Sequence, residues 1–191
     1  MNFLDIGGGF PGNIGTNIDV FADVVNSALN EFFPLSSDPI EIISEPGRFF
    51  VASAFTLGTT VHSKNEILNT DGKVSHVKYY INDGVYGSFS PIIHYQEVFQ
   101  PYILCRYTDN GTNDEASEVN CTIWGISCGG NDKICDKILL PPISIGDVLV
   151  FTNMGSYTIP IASNFNGFPI ARVLYFAECD SWKDLDEPIY Y

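Results

Sequence analysis

Gly7-Gly8-Gly9-Phe10-Pro11-Gly12 and Glu45-Pro46-Gly47-Arg48 are the two stretches whose residue types and spacing suit chemistry. A glycine run lets the backbone come close to an anion and presents its N–H groups at a turn. Arg48 adds a planar fork of donors that matches phosphate oxygens in pairs. Glu45, just before that arginine, is a carboxylate suited to hold a pyridine nitrogen protonated, the state in which such a ring draws electrons from a carbanion. Taken alone, the glycine run reads as a tight turn, because glycine serves positive φ. Taken with Glu45-Pro46-Gly47-Arg48, it reads as one half of a phosphate cradle, since both loops follow apolar strands and converge on one face.

The elements that must position these loops are legible around them. An apolar strand over 2–6 leads into the glycines, and residues 16–33 carry Ile18, Phe21, Val25, Ala28, Leu29 and Phe32 at helical spacing. Thr16 or Asn17 can cap that helix, Asp19 suits its dipole, and Pro34 marks its stop. A second strand over 40–44 completes a βαβ unit, whose strands should be parallel. A lone parallel pair leaves its edges bare, so either the β half covers that unit or its neighbours lie in residues outside this chain, the second being the expectation.

After Arg48 the pattern turns to β. Residues 49–62 are rich in Phe, Val, Thr and Ala, and strands are expected over 78–82, 102–107, 120–124, 147–152 and 171–177. Turn signals stand at Asn69-Thr70-Asp71-Gly72 and at Asp109-Asn110-Gly111, the latter opening a polar loop that runs to Glu118. No internal repeat is visible.

Composition narrows the function classes. The chain has 191 residues, 45% apolar and 14% aromatic, which describes a folded globular protein. A net charge of −14 argues against nucleic acid and against an anionic membrane surface as partners. No apolar run reaches the roughly 20 residues that a membrane span needs, and the first residues lack a signal peptide's basic flank. The 5 cysteines (Cys105, Cys121, Cys128, Cys135 and Cys179) and 3 histidines show no zinc-binding spacing. Reduced thiols and a cytoplasmic location are the expectation, with the Asn110 and Asn120 glycosylation triplets unused.

Several motifs in order resemble a known family. Phe3 to Gly12, Glu45-Pro46-Gly47-Arg48, Asn82-Asp83-Gly84-Val85-Tyr86-Gly87-Ser88-Phe89, Trp124-Gly125-Ile126-Ser127-Cys128, Asn153-Met154-Gly155-Ser156-Tyr157-Thr158 and Phe165-Asn166-Gly167-Phe168 all resemble eukaryotic-type ornithine decarboxylases. The resemblance covers essentially the whole chain. It implies an α+β fold: residues 1–50 as the last strands of an incomplete (β/α)8 barrel, and residues 51–191 as a mainly antiparallel β domain. It also implies pyridoxal 5'-phosphate as cofactor and a homodimer with active sites at the subunit interface. Gly7, Gly8, Gly9, Pro46, Gly47, Arg48 and Tyr157 would then contact the cofactor and its phosphate, and Glu45 its ring nitrogen. Cys128 would protonate the substrate α-carbon in the partner's site after CO2 leaves. Phe165 would line the site, and Asp132 and Gly155 fall at dimer-contact positions. On its own, Cys128 would read as a packing thiol like the other four.

The departures matter as much. The family reads the distal ammonium of ornithine with two acids, and those positions fall here on Tyr95, preceded by His94, and on Gly129. Losing both carboxylates removes the counter-charges of a desolvated ammonium. Glu97 lies two residues beyond Tyr95 and would face the same side if the chain there were extended. The cofactor's lysine, the histidine that stacks on its ring and the antizyme-binding region would all fall upstream of Met1. Lys64, Lys73 and Lys78 stand in no motif that suggests an imine, and His62 and His76 read as strand and loop residues. Three readings follow. The chain is a C-terminal piece of a decarboxylase making putrescine from ornithine for polyamine biosynthesis, inactive alone. Or it is a non-catalytic relative like the antizyme inhibitors, or a decarboxylase of altered substrate. Its expected partners are a second copy or a full-length family member, and an amino-acid substrate; antizyme is not expected for this piece.

Overall fold

The computed structural model describes residues 2–34, 40–105 and 118–176. Strand β1 (Phe3–Asp5) is followed by helix α1 (Asp19–Phe32) and strand β2 (Glu41–Ile43). β1 and β2 pair in parallel, Leu4 opposite Ile42, as the βαβ reading requires. α1 begins three residues later than expected. Ile18 is the cap residue, but Asn17 still serves the helix start, accepting the Asp19 N–H at 2.9 Å. No side chain of α1 is buried. With β1 and the glycine loop it lines an apolar cleft of about 370 Å³, floored by Leu4, Ile6, Phe21, Val25, Leu29 and Phe32.

A short helix α2 (Gly47–Val51) and a 3-10 turn (Ala52–Ala54) lead into a mixed sheet of six strands. These are β3 (Leu57–Leu68), β4 (Val74–Ile81), β5 (Tyr102–Cys105), β6 (Val119–Trp124), β7 (Lys133–Leu140) and β8 (Val148–Phe151), in the spatial order β5-β8-β3-β4-β6-β7. Every neighbouring pair is antiparallel except β4 and β6, which run parallel with Tyr79 opposite Ile123. Helix α3 (Pro91–Tyr95) lies in the long connection between those two strands.

Alternation puts Val61, Val77, Tyr79, Ile81, Cys121, Ile123, Leu149 and Phe151 into one core, joined by Phe89 and Phe99 from the β4–β5 connection. Phe89 meets Phe99 and Phe151 edge-on at 5.3 and 4.7 Å. The hairpin between β3 and β4 turns where its sequence says, with Asn69 Oδ1 accepting the N–H groups of Asp71 and Lys73 and Gly72 at φ +75°.

Two expectations are corrected. Residues 171–176 form no strand; apolar residues alone do not make one without a partner edge, and Phe176 is 89% exposed. β7 was not anticipated, because Asp136 and Lys137 interrupt its alternation, the latter at a left-handed φ of 51°. The turn at Asp109-Asn110-Gly111 and Cys179 lie outside the described residues.

Candidate functional site

The two glycine-bearing loops do come together. Gly7 O accepts the Glu45 N–H at 2.8 Å, extending the β1–β2 pairing past Ile6 N–H to Ile43 O at 3.0 Å. Gly7 and Gly9 stand at φ +72° and +86°, which L side chains rarely adopt. A Cβ at Gly8 would fall inside van der Waals contact of the Glu45 carbonyl oxygen, and one at Gly12 inside contact of the Arg48 and Phe49 carbonyls. The glycines are thus demanded by conformation at two positions and by close approach at two others. Among the described residues the N–H groups of the exposed Gly8 and Gly9 have no protein acceptor, whereas Gly7 N–H donates to Asp5 Oδ1 at 2.8 Å.

Glu45 is exposed at the end of β2, and Pro46 and Gly47 turn the chain into α2, where Arg48 sits. Its guanidinium is partly buried between two groups. Nη1 lies 3.0 Å from Glu97 Oε1, and Cζ stands 5.3 Å from the centroid of the Tyr157 ring. Tyr157 is held at φ +57°, an uncommon conformation for a bulky residue and a frequent mark of a functional turn. Tyr95 packs on it with ring centroids 5.0 Å apart, and His94 precedes at 6.3 Å from Tyr95.

The chain beyond Tyr95 is not extended. Gln96 ends α3 in the left-handed region at φ 55°, which swings Glu97 onto Arg48. The condition under which Glu97 would face the same way as Tyr95 is therefore not met.

The second part of the site is a loop between β6 and β7. Asp132 is 1% exposed, and its carboxylate ties this loop to the β4–α3 connection. Oδ1 accepts the Val85 N–H at 2.8 Å; Oδ2 accepts the Ser127 N–H at 2.8 Å and the Ser127 hydroxyl at 2.6 Å. Gly84 and Gly125 have no room for a Cβ against that carboxylate. Gly129 N–H reaches Ser127 Oγ at 3.2 Å, so Cys128 is carried outward on a pinned turn and is exposed. Asn166 Nδ2 approaches its sulfur at 3.7 Å.

Gly129 faces an aromatic wall. A Cβ there would lie 2.9 Å from both Cε2 and the hydroxyl of Tyr86, whose ring stacks on Phe165 at 4.1 Å. Gly155 is equally constrained by its own chain: its N–H donates to Ala52 O at 3.0 Å, and a Cβ would collide with the Val51 carbonyl. Tyr86, Ser127 and Asn166 were not singled out in the sequence, although each lies in or beside a quoted motif. The pairing of Arg48 with Glu97, 49 residues away, left no local trace.

Among the described side chains, Cys121, Cys135, Lys64 and His76 fit packing or solvent. Burial pushes Cys121 from 9.0 up to about 11 and Cys135 to about 12, as expected of inert core thiols. Lys64 donates to Glu66 at 2.8 Å, and that hydrogen bond raises its pKa, opposite to what an imine-forming amine needs. His76 bonds Thr122 Oγ1 at 2.9 Å. Among the described residues no group of acids, cysteines and histidines could hold a metal, and no helix is long and apolar enough to cross a membrane.

Residues 12–155 match the family model of the pyridoxal-dependent decarboxylase C-terminal sheet domain. Ornithine decarboxylase 2 of Drosophila melanogaster is 44% identical over 92% of the chain and 43% of its own length. Antizyme inhibitor 2 of Xenopus laevis is 39% identical over 96% of the chain and 41% of its own length. The chain thus spans about two fifths of the curated relatives it matches. Among solved structures, the Paramecium bursaria Chlorella virus arginine decarboxylase bound to agmatine superposes with a TM-score of 0.73, at 34% identity over 87% of this chain and 41% of that one. The Vibrio vulnificus lysine/ornithine decarboxylase complexed with cadaverine gives 0.72, at 32% identity over 90% and 43%.

Proposed function

This chain belongs to the pyridoxal-dependent decarboxylases, whose C-terminal sheet domain it carries, and we propose that it supplies the phosphate grip and the proton donor of an amino-acid decarboxylase of the ornithine decarboxylase kind. On this reading residues 1–50 are the end of a (β/α)8 barrel and residues 51–191 the β domain. The open apolar cleft between β1 and α1 supports that division, because such a face needs further elements to cover it.

The residues fit pyridoxal 5'-phosphate. Gly8 and Gly9 offer free N–H groups, Arg48 offers a guanidinium beside the Tyr157 ring, and Glu45 offers an exposed carboxylate at the adjoining strand end. Gly7, Gly47 and Tyr157 would complete the phosphate contacts, and Pro46 would fix the turn. The cofactor, when bound, supplies the electron sink that accepts the charge left as CO2 departs. Glu45 would keep the ring nitrogen protonated. Cys128 Sγ, on its outward turn, would give a proton to the substrate α-carbon in the partner's site; Asp132 and Gly155 would shape the surface on which two copies, or this chain and a full-length relative, meet.

The observation that carries this reading is the joining of the Gly7–Gly9 loop to Glu45 through one backbone hydrogen bond and one close approach. A complementation assay tests it. The chain is mixed with a full-length ornithine decarboxylase whose own proton-donor cysteine has been changed to alanine, and formation of the amine product is measured, because CO2 leaves before the proton is delivered. Restored turnover that disappears with Cys128→Ala is expected. No restoration despite mixed-dimer formation would contradict the assignment of Cys128.

A second reading concerns substrate. Tyr95 and Gly129 replace the family's acids, and Tyr86 closes over the space where a side chain at 129 would stand. The distal part of the site is then neutral and aromatic, which disfavours a diamine-forming amino acid. Comparing CO2 release from ornithine, lysine, arginine and apolar amino acids by a full-length relative carrying Tyr and Gly at these two positions tests it; unchanged ornithine turnover would refute it. An antizyme-inhibitor-like role, supported by the same two losses and by the Xenopus relative, predicts mixed dimers with no turnover of any amino acid. A cytoplasmic location accords with free thiols at Cys121, Cys128 and Cys135.

A further inference from the structure

Two donors of the phosphate cradle already serve carboxylates of the same chain. The Asp5 contact to Gly7 N–H is a local turn, of the kind an aspartate makes to its own backbone two residues on. The Glu97 contact is different. It joins residues 49 apart, it depends on the left-handed Gln96 that ends α3, and only 21% and 24% of the two side chains remain exposed. The Tyr157 ring stands close to the guanidinium as well, at 5.3 Å from Cζ.

We propose that Glu97 is a built-in competitor for the anion site, so that a phosphate monoester binds this chain by displacing the Glu97 carboxylate from Arg48. The inference rests on reading Gly7–Gly9 and Arg48 as a phosphate grip, and adds to it the group that must leave. Carboxylate and phosphate dianion seek the same planar fork, and they repel each other across it. Phosphate capture and Glu97 release are therefore a single exchange, and the chain's affinity for phosphate is set by the difference between the two pairs.

The test titrates the 191-residue chain with inorganic phosphate and, separately, with pyridoxal 5'-phosphate, followed by phosphorus NMR. Wild type is compared with Glu97→Gln and Arg48→Gln. Glu97→Gln is expected to tighten both ligands about three- to tenfold, the range set by loss of one partly exposed ion pair plus its repulsion of the dianion. Arg48→Gln is expected to weaken both strongly. Tightening in Glu97→Gln that needs Arg48 supports the proposal. Unchanged or weaker binding in Glu97→Gln, with binding still lost in Arg48→Gln, overturns the competitor while leaving the phosphate grip intact. Binding indifferent to Arg48, or absent from all three proteins, overturns the grip and the competitor together. A measurement on wild type alone guards against a misfolded variant: the carbon-13 carboxylate resonance of Glu97 should move as phosphate is added, and a stationary resonance at saturation contradicts the exchange.

Discussion

Asp132 Oδ2 accepts both the N–H and the hydroxyl of Ser127, at 2.8 and 2.6 Å, while Oδ1 holds the Val85 N–H. One buried carboxylate therefore fastens the turn that carries Cys128 to the loop that carries Tyr86. An asparagine cannot do this, because its amide nitrogen would face an N–H donor. Asp132→Asn should cost about 3 kcal/mol, and Ser127→Ala about 1 kcal/mol. Urea denaturation of the two single variants and the double variant checks this, and the double should lose less than the sum, since both changes break one network.

Glycine substitutions should separate packing from free loop. Gly155→Ala drives a methyl into the Val51 carbonyl and should destabilise by about 2–3 kcal/mol. Gly130→Ala meets nothing nearby and should stay within about 0.5 kcal/mol of wild type. Thermal melts of the two variants decide it; equal losses would contradict the packing at Gly155.

Thiol reactivity should single out one cysteine among those described with side chains. Cys128 is exposed, whereas Cys121 and Cys135 are 0% and 5% exposed with raised pKa values. Labelling the native protein at pH 8 with a thiol-specific disulfide reagent, followed by peptide mapping, should modify Cys128 first and the other two only on unfolding.

Alkaline pH should weaken the fold through the core. In the unfolded chain these thiols ionise near 9, but folded Cys121 and Cys135 keep their protons to about 11 and about 12. The folded state binds more protons in that window, so stability is full below pH 9 and falls as pH rises through it. Tyr79, raised by burial, acts in the same direction from its ordinary 10.0 upward. Urea midpoints measured from pH 8 to pH 11 should fall, and Cys135→Ala should make the decline shallower although it lowers the starting midpoint.

Much of this was readable in the residues because local rules applied. The spacing of Phe21, Val25, Ala28, Leu29 and Phe32 marks one helix face, and a helix between two short apolar strands leaves little choice but a parallel pair. Residues 171–176 misled because an apolar run becomes a strand only beside an edge that accepts it. β7 was hidden because Asp136 and Lys137 break its alternation. At the site, the glycines and Arg48 were visible as types, whereas the Glu97 contact arises from a left-handed Gln96 that no propensity encodes. Asp132 was visible only as a dimer-contact position that the resemblance implies; its burial within the chain depends on Gly84 and Gly125, one on each of the loops it joins.

The proposed function requires the Gly7–Gly9 loop and Arg48 to act as one phosphate-binding concavity. Amide nitrogen–proton NMR of the labelled chain during addition of pyridoxal 5'-phosphate addresses this most directly. The Gly8 and Gly9 resonances, whose N–H groups have no protein acceptor, should move together and saturably, and Arg48→Gln should abolish the movement. Saturable binding that leaves both glycines unmoved would contradict it.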